Sequence, residues 1–442
     1  LPFKVNDQSL TASLQEQNMT STTLDTAATT PTQPRSTRRW AALTMLTLAQ
    51  FLVVLDASIV NIALPAAGRD LGMGTTALSW VITAYVLTFG VLLLPGGRLA
   101  DRLGHRRMLL TGVVGFALAS AAAGLATSGA MLIAARIVQG ASAALLAPAA
   151  LALLTQLFPE PRERGTALGI WGAVAGSGSA AGVLFGGLLT AGFGWPAVFY
   201  VNLPIAAIAV IGAARLIRRD PGPRPGIRTP ILPVALLRNR AIVAGDLVML
   251  LIGGAMVAMF FALSVFLQQV LGYGALAAGL SQLPLAAALV LAAGAVPAVS
   301  AQLGVRGTLA ASLIVFAGGL AWLSLASASA SFVGGLLGPT LLIGAGLGGA
   351  FITTTQLAVD GVPEHDSGFA SGLLNTAQQL GGAAGVAVLA AIAAAHTDVM
   401  TAAGASPEVA LTGGFALLFR IAGGLALGAA AVALTLRERR RA

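Results

Sequence analysis

The feature that most constrains this chain is a recurrence of apolar stretches, most of them long enough to cross a bilayer as helices. A helix needs about 20 apolar residues to span a hydrocarbon core about 30 Å thick. The first stretch, residues 41–64, carries no charged residue except Asp56. Others lie at about 78–94, 108–126, 131–154, 167–189 and 197–216, and then at 242–267, 277–300, 308–325, 332–357, 369–395 and 414–436. Hydrocarbon offers the backbone no hydrogen-bond partners, so such stretches read as helices that satisfy their own polar groups. The fold class expected is therefore all-α and polytopic, with twelve transmembrane helices. Six and six of similar length suggest a duplicated architecture of two pseudo-symmetric six-helix bundles. Composition agrees: mean hydropathy is +0.87 and charged residues are 9%, against about 25% for an ordinary soluble domain.

Charge sets the orientation. With both termini cytoplasmic, 22 of the 25 Lys and Arg fall on the inner side, Arg69 falls outside, and Arg136 and Arg420 lie within spans. That asymmetry follows the positive-inside bias. It also argues against nucleic acid as a partner, because the cations are dispersed among short loops instead of forming one phosphate-binding face. The absence of Cys and the three scattered His exclude a disulfide framework and a metal cluster. The domains expected are a disordered polar tail (1–39, with Met19 as a natural start), an N-terminal bundle (40–217), a cytoplasmic linker (218–241), a C-terminal bundle (242–436) and a basic tail (437–442). A short surface helix is expected near 233–237 of the linker.

Asp56 is the costliest residue in this frame. An ionised Asp at the centre of a membrane helix costs about 2.5–3.5 kcal/mol on insertion scales. A buried acid able to exchange a proton is a candidate for proton coupling; a structural Asp hydrogen-bonded to neighbouring helices is the alternative. Arg136 lies about 9 Å below the outer end of its span and Asp56 about 13 Å below the outer end of its own, at 1.5 Å per residue. The two are within one helical turn of a common level, so the expectation is a pair facing one cavity. Snorkelling of Arg136 to the interface is the alternative. Gln139 shares the Arg136 face, three residues on. Asn61 lies about 140° off the Asp56 face and is expected to bond a neighbouring helix. Asp246 is expected near the helix N-terminus of its span or paired with Arg240, and Arg420 to snorkel outward. Asp360, Glu364 and Asp366 read as a solvated cluster able to meet the basic loop after the second span.

That loop, Gly97-Arg98-Leu99-Ala100-Asp101-Arg102-Leu103-Gly104-His105-Arg106-Arg107, resembles the signature loop of the major facilitator superfamily, G-x-L-A-D-R-x-G-R-R/K-R/K. His105 stands where the pattern has its first Arg after the second Gly. The resemblance implies a conformational latch at Gly97, Asp101, Arg102, Gly104 and Arg106, whose Asp could also cap a helix of the other half. Arg136-Ile137-Val138-Gln139-Gly140 is similar to the family's R-x-x-Q-G. Gly169, Gly178, Gly182, Gly186 and Gly187 resemble the glycine motif of its proton antiporters, G-x8-G-x3-G-P-x2-G-G, with Val183 in place of Pro. Ordinary tight packing would also use such glycines.

Residues 55–65 and 371–382 are similar to drug:proton antiporters usually built with fourteen spans; here the linker replaces the two central ones. The implied function is export of drugs or amphipathic secondary metabolites by alternating access against inward proton flow. The implied partners are protons, a small amphipathic substrate and the lipid bilayer of the plasma membrane, for a monomer with no cofactor and no enzymatic activity. Candidate cavity residues are Asn61, Gln139, Met256, Phe260, Asn375 and Gln378; for Met256 and Phe260 lipid or core contact is an equal alternative. Proton–solute symport and a non-transporting receptor on the same fold remain open.

Overall fold

A computed structural model describes residues 34–217, 240–359 and 367–435. The first six spans are α1 (Pro34–Asp70), α2 (Thr75–Leu103), α3 (His105–Gly124), α4 (Gly129–Leu157), α5 (Pro161–Phe193) and α6 (Ala197–Leu216, interrupted at Val201). The second six are α7 (Arg240–Val265, continued by a π turn Phe266–Val270), α8 (Ala275–Leu280, then 283–303), α9 (305–323), α10 (Leu337–Val359, preceded by a π turn Phe332–Leu336), α11 (Ser367–Ala402) and α12 (Pro407–Thr435). The chain is an all-α polytopic membrane protein. The 233–237 helix, the cluster Asp360, Glu364 and Asp366, and the tail 437–442 lie outside the described residues, as do 1–33.

One boundary differs from expectation. α1 is 37 residues long, so residues 34–39, expected in the disordered tail, are helical. Pro34 at its first position needs no N–H partner, and hydropathy marks only the hydrocarbon-spanning part of a helix, not its extension into the interface. The expected separation of 277–300 from 308–325 falls within one helical stretch, residues 275–323. Gly304 at φ 71 divides it, a left-handed conformation that glycine adopts without a Cβ clash.

Packing shows that the chain reverses there. Gly344 and Gly348 of α10 lie against the carbonyls of Leu285 and Leu289 of α8, in the same order along the chain. Gly346 and Gly349 lie against Phe316 and Ser312 of α9, in the opposite order. Small residues let these backbones touch, the main source of helix association in lipid. The N-terminal half uses the same recipe: Gly140 of α4 lies against the Tyr85 carbonyl of α2, as Gly344 of α10 lies against Leu285 of α8. In that register Arg136, four residues before Gly140, corresponds to Thr340, four before Gly344. Arg136 is 1% exposed and so is Thr340, but only the first carries charge.

The halves meet along three seams. α2 meets α11 where Gly90 lies against Gln379 and Leu380; α5 meets α8 where a Cβ at Gly187 would lie 2.7 Å from Leu276 Cα. The third joins α1 to α7 at the face away from the arginine-rich loops, through Ser264 and Gln268.

Candidate functional site

Five helices of the N-terminal half converge on one carboxylate. Asp56 of α1 is 0% exposed. Arg136 Nη1 of α4 donates to Asp56 Oδ2. Gln139, one turn on, donates through Nε2 to Asp56 Oδ1 at 3.1 Å and accepts from Arg136 Nη1 at 2.8 Å. Asn202, which opens the second helical piece of α6, donates to Asp56 Oδ1 at 2.9 Å. Ser120 of α3 accepts from Gln139 at 2.8 Å and from Asn202 at 3.3 Å, and itself donates to the Phe116 carbonyl. From α2, the Val81 carbonyl accepts from Arg136 Nε at 3.2 Å, and the Tyr85 ring lies 4.1 Å beneath the guanidinium. The close approach of Gly140 to Tyr85 is what lets α4 bring Arg136 over that ring.

The physical consequence is a fully compensated charge pair. The carboxylate receives three charge-assisted bonds, one from the guanidinium and two from amides, which offsets desolvation as a lone partner could not. The ring face adds a cation–π attraction of about 2 kcal/mol where water is excluded. Asp56 and Arg136 are the charged side chains among the described residues that are fully buried. Arg136 does not snorkel. Nor does the pair line an open cavity, as expected from depth alone: it is sealed inside the N-terminal bundle. Two oxygens of the residues around it, Tyr85 Oη and Asn202 Oδ1, are buried without a hydrogen-bond partner.

Tyr85, Ser120 and Asn202 were not anticipated. Asn202 was findable by the rule that singled out Asp56, being the one Asn in an otherwise apolar span. Ser120 and Tyr85 carry no such signal, since hydroxyls and rings are common in membrane helices.

Residues 46–386 match the Major Facilitator Superfamily. The chain belongs to that superfamily. Among curated relatives it is 35% identical over 464 residues to the puromycin resistance protein of Streptomyces alboniger, covering 91% of this chain and 92% of that one. It is 37% identical to the cephamycin export protein of Amycolatopsis lactamdurans (81% and 85% covered) and 29% identical to the tetracenomycin C resistance and export protein of Streptomyces glaucescens (93% and 94%). In fold it is similar to a bacterial homologue of the human lysosomal transporter Spinster, with a TM-score of 0.74 at 16% identity, covering 90% and 96%. The nucleoside transporter NupG is similar at 0.72 and 12% identity, covering 89% and 99%. The chain is a multi-pass transporter of the plasma membrane, not an enzyme.

The superfamily loop is tied inside its own half. Asp101 pairs with His105 Nε2 at 3.1 Å, so the histidine that replaces the usual Arg takes that residue's carboxylate. Arg106 donates to the carbonyls of Ile217 (2.9 Å) and Ala214 (2.7 Å), capping the end of α6 where the helix dipole favours a cation. Gly104, at φ 101, makes the turn from α2 into α3. A Cβ at Gly97 would lie 3.6 Å from Pro148 of α4, and Arg102 is exposed.

The superfamily glycine motif divides by contact. A Cβ at Gly178 would lie 3.3 Å from Phe51 and Val54, at Gly182 2.5 Å from Ser58 Cβ, and at Gly186 2.9 Å from the Ile59 carbonyl, all on α1. Gly187 faces α8 of the other half, and Gly169 has nothing within 4 Å. Gly182→Val is therefore expected to lower stability by about 1–3 kcal/mol. Gly169→Ala should leave the melting temperature in detergent unchanged or slightly raised, because Ala is the better helix former. Equal melting temperatures for the two variants would refute this division.

The proposed cavity residues do not form one group. Gln139 belongs to the Asp56 network. Asn61 bonds the Ala57 carbonyl of its own helix at 2.9 Å instead of a neighbouring helix, and its Oδ1 is buried without a partner. Gln378 is half-buried where α11 crosses α7, its carbonyl against Gly253; Met256 and Phe260 follow on α7, half-buried, and Asn375 is exposed. Asp246 Oδ1 is buried without a hydrogen-bond partner, and Arg420 is exposed, bonded to its own helix at Ala416.

Proposed function

We propose that the chain exports antibiotics or similar amphipathic compounds by alternating access, driven by protons moving inward. The observation that carries the reading is the buried Asp56–Arg136 pair. A proton and the guanidinium compete for the same carboxylate. Protonation of Asp56 from outside would release Arg136 from its partner and leave it buried and uncompensated, a state costly enough to drive rearrangement of α1 against α4. Gln139, Asn202 and Ser120 hold the carboxylate in place between turnovers. The substrate would meet a surface formed with α7 and α11, including Met256, Phe260, Asn375 and Gln378. Asp101, Arg102 and Arg106 would act as the latch of the inner face, exchanging partners as the halves move. The resistance and export functions carried in the names of the relatives support this substrate class.

The test is an antibiotic-accumulation panel in a host lacking its own pumps, followed by inside-out vesicles with an acidified lumen. Expression should lower accumulation of at least one compound, and that compound should discharge the proton gradient on addition. A compound whose accumulation rises would mark an importer. No change across the panel would remove the export reading.

A further inference from the structure

We propose that Ser264 and Gln268 are positioning residues that hold the outer face of the transporter shut, by taking two adjacent backbone carbonyls of α1, one of which Pro65 leaves without its helical donor. Pro65 lies inside α1. Proline has no N–H, so the bond that residue 65 would return to the carbonyl of residue 61 cannot form. A carbonyl left open inside a membrane protein must find a partner elsewhere. Here the partner comes from the other half. Ser264 Oγ of α7 donates to the Asn61 carbonyl at 2.6 Å. Gln268 Nε2 donates to the adjacent Ile62 carbonyl at 3.0 Å and to Ser264 Oγ at 3.3 Å. Ser264 is 0% exposed and Gln268 8%.

Gln268 sits in the π turn Phe266–Val270, and such turns recur at functional positions within helices. The clasp lies at the end of α1 away from the arginine-rich loops, on one of the three seams joining the halves. Opening that end must part α1 from α7, break both bonds to α1 and hand the Asn61 carbonyl to water. Because the acceptors are backbone atoms, what specifies the clasp is Pro65 on one side and two polar side chains on the other. The inference needs only that the halves separate at this end. It stands or falls independently of proton coupling.

The chain has no Cys, so a spin-label pair can be placed at Arg69→Cys and Ala277→Cys, both exposed on opposite halves near the clasp. Distances are read by double electron–electron resonance on the full-length protein in lipid nanodiscs. Ser264→Ala combined with Gln268→Ala should raise the ratio of long to short distances by about threefold to tenfold, the scale of one or two net hydrogen bonds. Ser264→Thr, which keeps the hydroxyl, should match the wild type. Pro65→Ala restores the helical donor, so Ser264→Ala made in that background should move the ratio by less than half as much. An unchanged distribution in the double variant overturns the proposal. So does an equal effect of Ser264→Ala with and without Pro65→Ala. Ser264→Ala alone removes one oxygen and is the variant least able to disturb folding.

Discussion

Asp56→Asn and Arg136→Gln are each expected to abolish efflux and to lower stability by about 3–5 kcal/mol, the usual result of stranding one member of a buried ion pair. In the first variant Arg136 keeps the Val81 carbonyl, Gln139 and the Tyr85 ring but loses its counter-charge. In the second Asp56 keeps the amides of Gln139 and Asn202, which moderates the loss without cancelling it. The double variant, Asp56→Asn with Arg136→Gln, has no charge left to strand. It should regain most of the lost stability and none of the efflux. Melting temperature in detergent and antibiotic accumulation in cells separate the two effects. A single variant that melts like the wild type would show that charge compensation does not hold this site. A double variant that pumps would show that the ionisable pair is not the working part.

Gly381→Val is expected to prevent accumulation of folded protein. A Cβ at Gly381 would fall on the Leu250 carbonyl of α7, and one at Gly385 on the backbone of Gly254. These are backbone contacts, with no flexible side chain to move aside, so the two helices must separate. The cost should reach about 3 kcal/mol or more, the upper end for overpacking. Gly424→Val on α12, where nothing lies within 4 Å, is the matched control. Yields in membranes, measured by fluorescence-detected size exclusion, should differ sharply; equal yields would mean that the α7–α11 crossing can widen freely.

Much of this architecture was readable from residues alone, for identifiable reasons. The separation of α8 from α9 was expected from the gap between 277–300 and 308–325, where Arg306 lies, and Gly304 makes the reversal. The level of Asp56 against Arg136 followed from helical rise, since both spans have definable outer ends. What depth arithmetic could not supply is azimuth. Two residues at one level can face a shared cavity or the centre of one bundle, and only the Gly140–Tyr85 approach decides for the bundle. Ser120 was hidden for a related reason: its partner Asn202 is 82 positions away in the chain, beyond any local pattern. Asn61 reaches a neighbouring helix through its backbone, not through its side chain as expected. That followed from Pro65, whose missing donor was in plain view.

The correspondence of Arg136 with Thr340 has a mechanical consequence. Two copies of one scaffold share their helix crossings, so they resist bending alike, yet a full charge lies at the heart of one and none at the same place in the other. A change in proton activity therefore has a titratable group to act on at that site in the first copy and none at its counterpart. Under the proposed coupling the second copy would be moved as a passenger, through seams of glycine and small side chains that transmit displacement but sense nothing themselves.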